Sequence, residues 1–214
     1  MDEDLSIINS DSRNEKIKNF FVNNKNKIIS GIIVLILIII AVFSYDKYLI
    51  GKNKEISDKF NSITIDYSEN TKQKTTNGLI EIVNKRDPTY SPLSLYFIID
   101  NNLDNDPDRI NSLFDILIND TSLESEIKNL IIYKKALYNA DNAKESDLLN
   151  ILNPLINSNS VWKAHSLYLM AEYFYSKNQK EKAKEFFNKI ITLENLNQDL
   201  RLQAEKRLNR DLSE

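Results

Sequence analysis

Cysteine is absent from this chain of 214 residues, and glycine, proline and histidine are scarce, at three, four and one residues. Without cysteine the protein has no disulfides, no thiolate nucleophiles and no cysteine-ligated metal sites. So little glycine and proline is too few for a sandwich or barrel built from many tight turns. The composition therefore predicts that helices dominate.

A large excess of charge of either sign is also missing. The chain has 28 Lys and Arg residues against 31 Asp and Glu residues, a net charge of −3. A nucleic-acid-binding surface needs a basic excess. We therefore expect no nucleic-acid partner.

Catalytic and metal-binding constellations are equally sparse. His165 is the only histidine, so neither a His/Cys metal site nor a Cys-His pair can form. A Ser-His-Asp arrangement remains formally open, but no serine lies in a strained nucleophile turn. The acidic run Asp100–Asp108 has Asn105 where a calcium loop needs glycine and Asn111 where it needs glutamate. We predict no catalytic residue, metal, cofactor or small-molecule substrate, and therefore no enzyme.

One long hydrophobic run interrupts this polar chain. Ile28–Tyr45 carries no charge over 18 residues, and in a helix it spans roughly 27 Å, close to the hydrocarbon thickness of a bilayer. A cleaved signal peptide is the alternative, but the run and the tail before it are long and no small-x-small cleavage site follows. The run predicts a transmembrane helix.

The run divides the chain into a tail at residues 1–27, the span at residues 28–45 and a polar domain at residues 46–214. In the tail, Ile17, Phe20 and Phe21 share one helical face, which is typical of a short amphipathic helix at the membrane surface or of a frayed extension of the span. Lys and Arg residues are slightly more numerous before the span than after it. This bias favours a cytoplasmic tail and an external domain, with the opposite orientation left open.

Apolar residues continue at helical spacing beyond the span. They form one stripe of Tyr45, Leu49, Ile56, Phe60, Ile63 and Tyr67. We expect the membrane helix to continue outwards, with Gly51 as the place for a break or a bend. Such a helix would hold the domain close to the membrane surface.

Several signals predict helix boundaries inside the domain. They are the helix-start pairs Ser91-Pro92 and Asp106-Pro107, a capping box from Thr121 to Glu124, and Pro154, which should kink or end its helix.

The domain also contains a weak internal repeat. Core positions recur in triplets at steps of four and three: Thr75, Leu79 and Ile82; Ile110, Phe114 and Leu117; Leu148, Leu152 and Leu155; Ala183, Phe187 and Ile190. The triplets start 35, 38 and 35 residues apart, near the tetratricopeptide period of 34. Five residues before each comes Asn70, Asn105, Ala143 or Asn178. We predict left-handed turns at the asparagines.

The last unit, AHSLYLMAEYFYSKNQKEKAKEFFNKIITLEN, resembles a tetratricopeptide repeat. Ala171 stands at the small position of its first helix and Phe174 at the aromatic position. It departs from the pattern at Leu167, where tryptophan is usual, at Asn178, where the loop glycine is usual, and at Asn195, where proline is usual. The earlier units depart further, so the array is a degenerate one.

A final segment, Asn197–Leu212, predicts a capping helix with Leu200, Ala204 and Leu208 on one face. The predicted fold is thus all-α: one N-terminal transmembrane helix, then a tetratricopeptide-like solenoid of helical hairpins, then a C-terminal capping helix.

The whole chain resembles the bacterial inner-membrane family of ancillary Sec-translocon subunits, in its alphaproteobacterial tetratricopeptide-like form. The segments that carry this resemblance are KIKNFFVNNKNK before the span, SVWKAHSLYLMAEYF and QDLRLQAEKRLN. The family implies a single-pass inner-membrane protein with a cytoplasmic N-terminus. Its periplasmic repeats contact the translocon, periplasmic chaperones or client polypeptides.

The resemblance also implies a protein-binding groove lined by the first helix of each unit. It places His165, Tyr168, Glu172 and Tyr175 there from the last unit, and Tyr133 and Leu137 from the unit before. Tyr and Leu side chains suit an apolar polypeptide. The alternative, that these side chains pack within the chain, is open for Tyr168 and Tyr175 and preferred for the others. Trp162 is expected to be a core anchor.

Together these features predict a membrane-anchored adaptor that binds polypeptides or proteins and serves the Sec translocon or its chaperones. A structural scaffold for envelope assembly or cell division is the alternative. An enzyme that depends on His165 is a more distant one.

Overall fold

The computed structural model describes residues 18–20, 22–194 and 197–212, in which helices are joined by turns and loops and no β-strand occurs. The predicted all-α class is confirmed. Of the proposed amphipathic tail helix, Lys18–Phe20 is helical, whereas Ile17 and Phe21 lie outside the described residues. By its internal contacts the chain forms two units, residues 1–55 and residues 56–214.

The helices are α1 (Lys25–Ile65), α2 (Lys72–Asn84), α3 (Tyr90–Asp100), α4 (Pro107–Asp115), α5 (Ser125–Asn139), α6 (Glu145–Ile156), α7 (Lys163–Ser176), α8 (Lys180–Ile191) and α9 (Gln198–Asp211). A short 3-10 turn, Glu69–Thr71, precedes α2, and a π-helical turn, Ile116–Asp120, extends α4.

The first unit contains a stretch that is long enough and apolar enough to cross a membrane. This stretch, Lys25–Ser44, has 20 residues and overlaps the predicted span. Its large apolar side chains are open to solvent, from 45% exposed for Ile29 to 66% for Phe43. A core helix of a soluble protein would bury such side chains, so the stretch is compatible with a single-pass membrane protein.

Helix α1 continues well beyond this stretch, as the apolar stripe predicts. The helix passes through Gly51 without a break. In the second unit its last turns bury Ile56, and Phe60 and Ile63 pack against the same core. The structure does not describe the side chains of Tyr45 and Leu49.

The core of the second unit is built on the predicted triplets. All twelve side chains are at most 4% exposed, which confirms them as core positions. They lie one helical turn apart on α2, on α4 with its π turn, on α6 and on α8, so each of these segments buries one stripe. In α7, Leu167, Ala171 and Phe174 are buried as well.

The buried side chains form two clusters that meet in α5. Ile131 belongs to the cluster made with α2, α3 and α4, and the adjacent Ile132 to the cluster made with α6, α7 and α8. A hydrogen bond also joins successive helix pairs, because the hydroxyl of Tyr173 donates to the carbonyl of Ala143 at 3.1 Å. One helix thus contributes to both halves of the domain.

Two of the predicted helix boundaries are right. Asp106 caps α4 by accepting bonds from the backbone amides of Asp108 and Arg109, with Pro107 in the first turn. Pro154 lies in the last turn of α6, which ends two residues later at Ile156.

The cap predicted at Ser91 is wrong. Asp87 accepts bonds from the amides of Thr89 and Tyr90 at 2.9 and 2.7 Å, so α3 begins earlier. The buried Ser91 instead donates its hydroxyl to the carbonyl of Ile82 in α2 at 2.8 Å. This bond joins α2 to α3, and the Ser91 hydroxyl therefore does not cap the start of α3.

The capping box at Thr121 and Glu124 is also wrong. The Thr121 hydroxyl donates to the carbonyl of Ile116 at 3.0 Å and closes the π turn. Glu124 stands directly before α5 and makes no side-chain capping bond. The helix begins too far along the chain for Thr121 to reach its first amides.

Left-handed backbone occurs at only one of the predicted asparagines. Asn178 has a φ of 60°, whereas Asn70 lies in the 3-10 turn and Asn105 lacks a positive φ. Asn102 and Arg86 have φ values of 49° and 57° instead. The left-handed residue follows the end of the preceding helix, where it lets amides reach the last carbonyls, so its place depends on where that helix stops.

Replacing Leu152 by alanine tests the core of the second cluster. Leu152 is fully buried, so Leu152→Ala should lower the free energy of unfolding by about 2–5 kcal/mol. The control, Leu202→Ala, removes the same atoms from a side chain that is 45% exposed, and should change it by less than about 0.5 kcal/mol. Urea unfolding of the detergent-solubilised chain, followed by circular dichroism, measures both. Equal losses would contradict the assigned core.

Candidate protein-binding face

The six side chains assigned to a binding groove lie on two helices. Tyr133 and Leu137 belong to α5, and the other four, His165, Tyr168, Glu172 and Tyr175, belong to α7. The structure divides them among three environments: an aromatic cluster, a contact with α9 and a groove between α3 and α5.

The aromatic cluster contains Tyr133 and His165 with Trp162 between them. The Tyr133 and Trp162 rings stack with centroids 5.5 Å apart, and the His165 ring lies 5.3 Å from Trp162 and 6.0 Å, edge-on, from Tyr133. Such pairs add to the stability of apolar contact. Burial raises the pKa of Tyr133, whereas His165 is exposed. Trp162 packs against the core while joining α5 to α7.

A hydrogen-bonded serine orients this tryptophan. The Ser160 hydroxyl donates to Oε2 of Glu126 at 2.8 Å and accepts from the backbone amide of Trp162 at 3.1 Å. Because Glu126 is on α5, the bond fixes the segment before α7 to the preceding helix pair. The cluster therefore has a defined geometry at a partly exposed surface.

Tyr168, Glu172 and Tyr175 are engaged with α8 and α9. The Tyr168 ring packs edge-on against Phe187 of α8 at 5.4 Å, and burial, with a smaller effect of the nearby Glu172 carboxylate, raises the pKa of Tyr168. Arg207 of α9 lies 4.2 Å over the Tyr175 ring. These contacts are those expected if the side chains pack within the chain.

Arg207 is the side chain that joins α9 to α7. Its Nε and Nη2 donate to the two carboxylate oxygens of Glu172 at 2.7 and 2.5 Å, and Nη1 donates to Asp211 at 2.5 Å. These bonds, with Glu172 first, raise the pKa of Arg207 further above its usual range. Such a bidentate pair fixes both position and orientation. Periodicity in the sequence does not reveal this role of Arg207.

Leu137, the last of the six, is 51% exposed and lines a groove of about 230 Å³ between α3 and α5. The groove is lined by Tyr96, Ile99, Asp100, Phe114, Lys134, Leu137 and Tyr138. The ammonium of Lys134 lies 4.6 Å from the centre of the Tyr96 ring, within the range of a cation–π interaction.

Tyr96 is the unusual residue of this groove. Its hydroxyl is shielded from solvent and has no hydrogen-bond partner among the described residues. Burial raises the pKa of Tyr96 to about 12. Buried hydroxyls nearly always have a partner, because an unpaired one costs about 1–3 kcal/mol. Nothing in the sequence around Tyr96 distinguished it from an ordinary helix residue.

Among residues 18–20, 22–194 and 197–212, no three His, Cys, Asp or Glu side chains gather in a way that would hold a metal ion. The acidic run Asp100–Asp108, which does not match a calcium loop, contains Asp104, whose buried carboxylate pairs with Arg109. Hydrogen bonds from Arg109 lower the pKa of Asp104.

Comparisons with protein-family models, with curated proteins and with solved structures find no match to this chain. The family that the sequence resembles therefore stays a prediction.

Replacing Arg207 tests whether α9 depends on the pair with Glu172. Arg207→Ala leaves the partly buried Glu172 carboxylate without its partner and should lower the free energy of unfolding by about 2 kcal/mol. Arg210→Ala on the same helix is the control: this side chain is 77% exposed, so its loss should cost less than about 0.5 kcal/mol. Urea unfolding measures both. Equal effects would mean that the bidentate pair does not hold the helix.

Proposed function

We propose that the chain is a single-pass inner-membrane adaptor whose periplasmic domain, a degenerate tetratricopeptide-like array, binds polypeptide. Three features support this proposal. The stretch Lys25–Ser44 meets the length and apolarity of a membrane span. The buried triplets recur near the tetratricopeptide period. Apolar and aromatic side chains of α3 and α5 line a groove between these helices.

The groove between α3 and α5 is the observation on which polypeptide binding depends most. Its lining is largely aromatic and aliphatic, with one acidic and one basic side chain, and no described residue fills it. In an array of helical pairs, first helices stack to form the surface that takes peptide segments. Leu137, assigned to that surface from the sequence, lies at this groove.

The resemblance in sequence extends the proposal to a partner. Ancillary subunits of the Sec translocon present periplasmic repeats to the translocon, to chaperones or to emerging chains. An anchored domain with an apolar groove suits such a position, because unfolded chains expose apolar segments as they leave a membrane channel. We therefore propose a Sec-associated or chaperone-linked role.

Reporter fusions test the topology. Alkaline phosphatase, which is active only outside the cytoplasm, should be active when fused after Glu214 in a bacterial host. Fused after Lys27, ahead of the span, it should be inactive. A cytoplasmic fluorescent protein should give the opposite pattern. Phosphatase activity only in the fusion after Lys27 would mean that the orientation is reversed. Equal activity of the two fusions, with both proteins in the soluble fraction, would contradict a membrane span.

Site-specific photo-crosslinking tests the partner. A photoreactive amino acid at Leu137 in the full chain should recover translocon components or secreted polypeptides. The same residue at Leu202, which has similar exposure on α9, should recover far less, because the groove supplies the apolar contact. Mass spectrometry identifies the products. One stoichiometric envelope protein in their place would favour a scaffold, and equal recovery from both positions would contradict binding at this face.

A further inference from the structure

The groove between α3 and α5 is too small for a folded partner or a helix. Its volume of about 230 Å³ is less than the roughly 300–1,000 Å³ of sites for drug-sized ligands. Ile99, Phe114 and Leu137 give it apolar walls. The space therefore suits one large apolar side chain.

The charges at the groove select against a strongly charged occupant. Asp100 and Lys134 both line it, and neither forms an ion pair among the described residues. With one charge of each sign the groove has no net charge to attract an acidic or a basic segment. A neutral apolar segment is the complementary occupant.

The hydroxyl of Tyr96 adds a second requirement. It is a donor without an acceptor among the described residues, and the fold offers no compensation for the cost of leaving it unpaired. In a helical ligand most carbonyls already accept a bond within the helix, so they are poorer acceptors for this hydroxyl than unbonded carbonyls are. An extended chain has free carbonyls next to each side chain.

Lys134 lies over the ring of Tyr96. Its ammonium is held by that contact without an ion pair in the described chain. A lysine side chain has many rotamers and a contact of this kind is weak when exposed. Rotation of Lys134 away from the ring therefore costs little free energy.

We infer that this groove is a single-residue anchor site for extended, neutral polypeptide: it takes one large apolar side chain, and the Tyr96 hydroxyl donates to a main-chain carbonyl beside it. The inference rests on the polypeptide binding proposed above and assigns its location and the conformation of its ligand. Sequence specificity is low, because any large apolar residue in an extended segment meets both requirements. Such a site would suit chains that have not yet folded.

A fluorine NMR titration tests the site with the full chain in lipid nanodiscs. The probe is a short peptide with a central fluorophenylalanine among Gly, Ser and Asn residues, which keep it extended. Two control peptides are used. The first has alanine at its centre and competes with the extended probe. The second places the fluorophenylalanine in an alanine-rich helix. The extended probe should bind, the alanine peptide should not compete, and the helical probe should bind at least about threefold more weakly, for want of the hydrogen bond.

Variants then assign the binding to these residues. Tyr96→Phe keeps the ring and removes only the hydroxyl, so it should weaken binding of the extended probe about threefold to tenfold, while the unfolding midpoint stays the same or rises. A hydroxyl that mattered only to the fold would lower that midpoint instead. Leu137→Asp should weaken binding by about tenfold or more through loss of apolar contact. The matched Leu202→Asp should bind as wild type does.

The outcomes separate this inference from the function on which it rests. If wild type binds the probe and both groove variants bind as well as Leu202→Asp does, the domain binds polypeptide elsewhere and the site is wrong. If the helical probe binds as tightly as the extended one, the role of the free carbonyl is wrong. If wild type binds neither probe while crosslinking at Leu137 still recovers secreted chains, the anchor site is overturned and the adaptor function stands. Failure of both measurements overturns both.

Discussion

Each helix pair of the domain depends on the burial of one apolar stripe on its second helix. Leu79, Phe114, Leu152 and Phe187 sit at the centres of the four stripes, and all are fully buried. Burying such a side chain contributes about 1.5–3 kcal/mol, more than any cap or surface ion pair in the chain offers. The loops between pairs are correspondingly free to vary, which is why their lengths and turn residues differ while the stripes do not.

An array of this kind leaves an apolar face on its last helix pair. Helix α9 covers that face but buries little apolar surface itself. Ala204 is its only fully buried side chain in the described helix. Polar contacts compensate for the small apolar area. Arg207 bonds to Glu172 of α7, and Arg201 donates to the carbonyls of Ile191 and Leu193 where α8 ends. The last carbonyls of a helix have no partners within that helix, so α9 bonds to the end of α8 as well as covering it.

Periodicity in the sequence was enough to predict the helical class, the buried stripes and the terminal helix, because burial of a stripe imposes spacing that a single sequence displays. It failed at Ser91 and Thr121, where the same hydroxyl can cap a helix or bond to a neighbouring carbonyl and only the tertiary contact decides. It also missed Arg207 and Tyr96. A cation that pairs across two helices and a hydroxyl that lacks a partner leave no trace in residue spacing, since both are defined by what lies nearby in space.

The tyrosine side chains of the domain differ in whether their hydroxyls have hydrogen-bond partners. Tyr173 uses its ring in the core and its hydroxyl on the Ala143 carbonyl, and Tyr90 bonds its hydroxyl to Ser57, so both polar tips are satisfied. Tyr96 contributes only its ring. Phenylalanine at that position would give the same apolar contact without an unpaired donor, and would favour the folded state by the 1–3 kcal/mol that such a donor costs. Among the described residues stability gives no reason for the Tyr96 hydroxyl, whereas the acceptor that we propose a bound chain supplies would give one.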